Sequence, residues 1–193
     1  MTLNTSDSVS QEVQDHLIQL AKASIAYYLD ANKEPNRDDL SHIETGISDP
    51  LLETERAAFV TLKLDSHLRG CIGSVFPTKP LTDEVIHQSV NAAFNDYRFN
   101  PVTESEYPNL KVEISILSQP SPVDHYDKID IEKHGIILKK DNKSALFLPK
   151  VATEQGWDLP TTLTHLCQKA GLELFDWKSN TEFLVFEAFE FKE

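Results

Sequence analysis

The chain is poor in the residues that staple a fold together. Of its 193 residues only two are cysteine, Cys71 and Cys167, and six are glycine. Two distant cysteines without a CxxC make no disulfide framework and no zinc ribbon. The chain therefore reads as cytosolic, with reduced thiols. Positive charge is scarce as well: 18 Lys and Arg stand against 31 Asp and Glu, a net charge of -13. Neutralising nucleic-acid phosphates needs a concentrated cationic surface. The densest basic cluster is Lys139, Lys140 and Lys143, beside a turn. Nucleic acid and anionic membranes are thus not expected partners, although one cleft can still hold a small anion. No apolar run approaches the roughly 18 residues of a spanning helix. The start, MTLNTSDSVSQEVQ, lacks the basic and apolar stretches of a signal peptide.

Several chemical signatures are missing too. GxGxxG, GxxxxGK[ST] and GxSxG do not occur, which removes the phosphate cradles and the hydrolase elbow. The seven histidines are dispersed without HxH or HExxH spacing, so neither a metal site nor a cofactor is expected. What is present is a composition 40% hydrophobic and 9% aromatic, sufficient for a packed core without staples.

Periodicity divides the chain into elements. Residues 1–8 are polar and expected to be disordered, and Ser8 with Gln11 has capping-box spacing. Val13, Leu17, Leu20, Ala21, Ser24 and Tyr28 recur at helical intervals and predict a helix ending near Asp30. The stretch NKEPNRDDLSHIETGISDP reads as an irregular connection anchored by Leu40, Ile43 and Ile47. AAFVTLKL alternates as a half-buried strand, DSH turns, and LRGCIGSVF returns to complete a hairpin. Pro80 opens a second helix that should stop before NDYRFNPV. Leu110 to Leu117 alternate as a strand, SQPSPVDHYDKID reads as a loop, and GIILKKDNKSALFLP as a second hairpin. Asp158 caps a third helix with Pro160 in its first turn and Gly171 at its end. EFLVFEAFEF closes the chain as one strand. Hairpins dominate and strands do not alternate with helices, which predicts an α+β fold with a mostly antiparallel sheet. One domain over residues 10–191 is expected, with room for a small subdomain.

The scarce glycines and cysteine concentrate at residues 68–73, LRGCIG. As a regular strand this places His67, Arg69 and Cys71 on one face, with Leu68, Gly70 and Ile72 on the other. A guanidinium beside a thiol favours the nucleophilic thiolate, and a nearby imidazole can serve as base. Glycines allow a ligand or another backbone to approach, or mark a bulge. Cysteine is equally at home as a small buried residue, so the residues leave a reactive and a structural Cys71 both open. His134, just before a strand, is the most placeable partner, and Glu113 can add a carboxylate or simply face solvent. Cys167 lies on a helix stripe and reads as core.

LRGCIG at 68–73, DYRF at 96–99, EISILS at 113–118, HGIIL at 134–138, LFLPKVATEQGWD at 146–158 and KAGL at 169–172 occur in this order. On these motifs, from about Leu17 to Phe191, the chain resembles the AMMECR-domain family. Prokaryotic members of that family are called AmmeMemoRadiSam system protein A. Tyr97 stands where many members have proline, and Lys150 where many have glutamine. The resemblance implies a larger and a smaller subdomain around an antiparallel sheet, with a cleft near LRGCIG. It also implies association with a Memo-like, dioxygenase-related protein and a radical S-adenosylmethionine enzyme. The site residues it implies are Arg69, Gly70, Cys71 and Gly73, with Asp96, Arg98 and His134; Trp157 and Lys169 are assigned to packing and capping. Three functions follow: a pathway component binding a small molecule at LRGCIG, a stand-alone enzyme with Cys71 as nucleophile, or an adaptor in which LRGCIG is structural.

Overall fold

A computed structural model describes residues 9–43 and 47–193. The expected tail over residues 1–8, including Ser8, lies outside them. The chain divides into two compact units, one running to Leu117 and completed by Phe189–Glu193, the other formed by Ser118–Ala188.

In the first unit, helix α1 spans Gln11–Ala31. Its cap is Ser10, whose hydroxyl accepts from the Val13 N–H at 3.3 Å, and Asn32 ends it in the left-handed region at φ 49°. Of the predicted stripe, Val13, Leu17, Leu20, Ala21 and Ser24 are buried and Tyr28 is half-buried. Strands β1 (Ala58–Leu64) and β2 (His67–Gly73) form the first hairpin, and β3 (Lys111–Leu117) pairs with the other side of β1. Helix α2 (Leu81–Val90) runs on into a π turn over Asn91–Asn95. One face of this sheet carries Val60, Leu62, Val112 and Ile114, which share a core with Leu17 and Ala21 of α1 and Val85 of α2. Burying each such side chain stabilises by about 1.5–3 kcal/mol, which explains why two amphipathic helices settle on this face. The irregular connection is anchored as expected, by buried Leu40 with Ile43 and Ile47 packed against the same core.

The second unit holds β4 (Ser121–Val123), β5 (Gly135–Lys140), β6 (Lys143–Phe147) and β7 (Glu182–Phe186), in the order β4-β7-β5-β6. Helix α3 spans Pro149–Gln155 and α4 Leu159–Lys169. The Asp158 carboxylate caps α4 by accepting from Thr161 N at 2.9 Å. Gly171 closes it at φ 69° while Leu172 N reaches back to Cys167 O. Leu163, Leu166 and Cys167 of α4 pack with Ile136, Leu138, Phe183 and Val185 of the sheet. Both sheets are antiparallel, as the hairpin-rich order predicted.

Four expectations need correction. EFLVFEAFEF is not one strand: it breaks at Glu187 into β7 and β8 (Ala188–Lys192), and β8 joins the first sheet in the order β2-β1-β3-β8. The break is held by Ser118, whose N–H donates to Glu187 O and whose hydroxyl accepts from Glu187 N, both at 2.9 Å. The loop SQPSPVDHYDKID contains edge strand β4, where Pro122 costs no ladder bond because one side of the strand is unpaired. The end of the second hairpin turns helical as α3, with Pro149 in its first turn. Lastly, the even alternation read into LRGCIG is broken by a bulge.

Candidate functional site

The LRGCIG hairpin turns through Asp65 and Ser66, both left-handed at φ 50° and 66°, which suits the twist of a two-residue hairpin. From that turn a regular ladder would set Thr61 opposite Gly70 and Cys71 opposite Val60. Instead Lys63 pairs with Leu68 and Leu62 with Gly70, which leaves Arg69 as an extra residue in β2. The slip sets Cys71 opposite Thr61. Opposed residues share a face, and Val60 belongs to the core face. The bulge thus carries Cys71 off the core and onto the other side of the sheet. It also separates His67 from Cys71: His67 pairs with Leu64, a neighbour of the core face, and is exposed.

Each glycine of the motif has a protein neighbour where a side chain would stand. A Cβ on Gly70 would overlap the carbonyl oxygen of Ala92 in the π turn. On Gly73 it would overlap the Phe59 ring and the Ala58 carbonyl. The close approach these residues permit is therefore that of the chain to itself.

Arg69 is 13% exposed. Its Nε and Nη2 grip the Glu106 carboxylate at 2.8 and 3.1 Å, while Nη1 and Nη2 donate to the carbonyls of Asn100 and Pro101 at 2.9 and 3.2 Å. The guanidinium pins the 100–106 loop to the bulge. The same bonds, helped by Thr103 N–H and hydroxyl, hold the Glu106 carboxyl down at about 2 against the opposing effect of burial.

Asp96 and Arg98 act on Cys71 itself. The Asp96 Oδ2 accepts from Cys71 N at 2.9 Å and from Arg98 Nη2 at 2.7 Å; Oδ1 accepts from Arg98 Nε at 2.9 Å. Arg98 Nη2 also donates to Cys71 O at 3.0 Å. β2 is the outer strand of its sheet, so its free edge would otherwise present bare peptide groups. DYRF supplies, from two side chains, the acceptor and donor that a further strand would offer Cys71. The Arg98 bonds, more than burial opposes, lower the Asp96 carboxyl to about 2, and Asp96 in turn raises Arg98.

The Cys71 sulfur is half-buried and accepts from the Thr61 hydroxyl at 3.2 Å. Thr61 also stands opposite Glu113 of β3, so Cys71, Thr61 and Glu113 form one row across three strands. The Glu113 carboxylate accepts from Lys63 at 2.8 Å. This row can bind through a thiol, a hydroxyl and an ion pair. Beside it Arg98 is 44% exposed, Leu68 43% and Tyr97 93%.

The fold thus gathers Arg69, Gly70, Cys71, Gly73, Asp96 and Arg98 in the first unit. His134 belongs to the second unit, where its ring Nδ1 accepts from Asp130 N at 3.0 Å and its backbone N–H donates to Asp130 O at 2.7 Å. Trp157 lies between Phe147 and His165, and Lys169 donates to Leu146 O. Sequence reasoning missed Thr61 and Glu106. Thr61 was hidden by the bulge; Glu106, in TESEYP, carries no local signal at all. Among the described residues no group of His, Cys, Asp and Glu is arranged to hold a metal ion, and no helix is long and apolar enough to cross a membrane.

Residues 18–191 match the family model described as AMMECR1. Protein MK0488 of Methanopyrus kandleri is 38% identical, covering 97% of this chain and 91% of its own. Protein NEQ441 of Nanoarchaeum equitans is 36% identical over 92% of this chain and 99% of its own. The crystal structure of an uncharacterized protein from Pyrococcus horikoshii superposes with a TM-score of 0.85 at 33% identity, covering 96% of this chain and 93% of that one. Identity of this order, spread over nearly the full length of each relative and matched by a shared fold, means that the chain belongs to the AMMECR1 family.

Proposed function

We propose that the chain is a binding component of a pathway that also uses a Memo-like protein and a radical S-adenosylmethionine enzyme, and that the LRGCIG edge is its working face. One observation carries this reading: the strongest groups of the motif are committed to holding β2 in place. Arg69 is engaged by Glu106 and two carbonyls, and Asp96 by Cys71 N and Arg98. A general acid or base needs a proton-transferring atom within reach of the substrate, and neither group has one to offer. What the clamp leaves outward is Tyr97, Leu68 and the half-exposed Arg98, a mixture of aromatic, aliphatic and guanidinium surface suited to recognition.

The test is binding of the full chain to the Memo-like and radical enzymes encoded in the same genome, measured by biolayer interferometry. A double variant Tyr97→Ala, Arg98→Ala should weaken one of these pairs at least about tenfold, as expected when a central aromatic and arginine are truncated. Absence of binding to both enzymes, with and without their substrates, sinks the proposal. A second reading, with Cys71 as a nucleophile, is favoured by the Thr61 hydroxyl on its sulfur. It requires rapid alkylation of Cys71 by iodoacetamide near neutral pH in the folded chain; a thiol that reacts only after unfolding removes it.

A further inference from the structure

The second unit contains a cleft of about 200 Å³ that has no part in LRGCIG. One wall is the turn after β4, with Asp124 and Tyr126; the other is the turn before β7, with Trp177 and Lys178; Phe183 of β7 lies between. Its floor is aromatic and rigid. Trp177 and Phe183 are buried, Tyr126 meets Trp177 edge-on at 4.9 Å, and the indole N–H is tied to the Thr164 hydroxyl at 3.2 Å. Its rim is charged with both signs. The Lys178 ammonium lies 5.0 Å from the centre of the Phe175 ring and 5.2 Å from that of Trp177, and Asp124 lines the same cleft from the other turn. Among the described residues neither Lys178 nor Asp124 has an ion-pair partner, and they do not pair with each other.

We infer that this cleft binds a small zwitterion with an apolar body, of the kind a free α-amino acid represents. The volume is below the roughly 300–1,000 Å³ that encloses drug-sized ligands, so the occupant is small. An apolar side chain here covers the half-buried Tyr126 ring and what remains exposed of Trp177 and Phe183, and both surfaces lose water on contact. Its carboxylate meets Lys178 and its ammonium meets Asp124, which gives each unpaired rim charge the partner it lacks. A ligand with one charge would leave the other rim group unanswered, and the two opposite signs therefore set the selectivity.

The chain has two tryptophans, Trp157 and Trp177. A Trp157→Phe variant keeps a ring against Phe147 and His165 and leaves Trp177 as the sole reporter of the cleft. The full-length variant is titrated with L-leucine and L-phenylalanine, then with their N-acetyl and amide forms, and Trp177 emission is followed. A saturable change with at least one free amino acid is expected, with both blocked forms at least about tenfold weaker. Adding Lys178→Gln should abolish the preference for the free acid over the amide; adding Asp124→Asn should abolish that for the free amine over the acetylated form. The inference is overturned if neither free amino acid gives saturation up to about 10 mM, well past millimolar affinity. Equal binding of the blocked forms, or preferences unchanged in the folded rim variants, overturns it as well.

Discussion

Replacing Asp96 with Asn tests the clamp on Cys71 with an almost isosteric change. The native carboxylate, 1% exposed, accepts from the Cys71 peptide and from Arg98. An amide keeps one acceptor but turns its NH2 toward a guanidinium or a peptide N–H. The carboxyl falls from an ordinary 3.8 to about 2 in the fold. That difference corresponds to about 2 kcal/mol. Arg98 is 44% exposed, so screening leaves about 1–2 kcal/mol. Because the folded value is the lower one, this stability is complete well above 3.8 and drains away as pH falls toward 2. About half is gone by pH 3. Urea unfolding of both proteins, followed by circular dichroism at pH 7 and pH 3, measures the gap. The variant should be less stable by about 1–2 kcal/mol at pH 7, and the gap should shrink by about half at pH 3. A gap below about 0.5 kcal/mol at pH 7, or one that does not change with pH, refutes the carboxylate clamp.

Other consequences follow from the same geometry. Gly70→Ala drives a methyl into the Ala92 carbonyl and should cost about 2–3 kcal/mol in urea unfolding; Gly156→Ala, with open space at φ 65°, should cost about 1 kcal/mol through backbone strain alone. Arg69→Lys keeps the charge but loses the fork on Glu106 and the two carbonyl bonds, so stability should fall by about 2 kcal/mol and amide exchange across 100–106 should quicken. Cys167 is fully buried, with its thiol pushed up by desolvation. Peptide mapping after alkylation of the native chain should find Cys71 modified well before Cys167, and early labelling of Cys167 would contradict the packing of α4.

Much of the fold was legible because it depends on short-range rules. The stripe of α1, the Asp158 cap and Gly171 end of α4, and the alternation of β1 and β3 each follow from residues within one or two turns of each other. The C-terminal strand shows where such rules stop. Phe183, Val185 and Phe191 keep one period, yet the first two pack in one core and Phe191 in the other. Alternation reports which residues want burial and carries no information about which sheet accepts them. The break at Glu187 depends on Ser118, sixty-nine positions upstream.

The same division runs through the site. LRGCIG and DYRF are visible as unusual clusters, and their physical relation is not. By itself the sequence determined that Arg69, Cys71 and two glycines share one strand, because strand propensity and turn chemistry act locally. Only the tertiary structure decided that Arg69 occupies a bulge, that Cys71 therefore leaves the core face for Thr61, and that Asp96 and Arg98 complete the edge of β2. These outcomes rest on hydrogen-bond partners 10 to 37 residues apart. Each partner is chosen by a backbone path that packing sets, and no local pattern records that path.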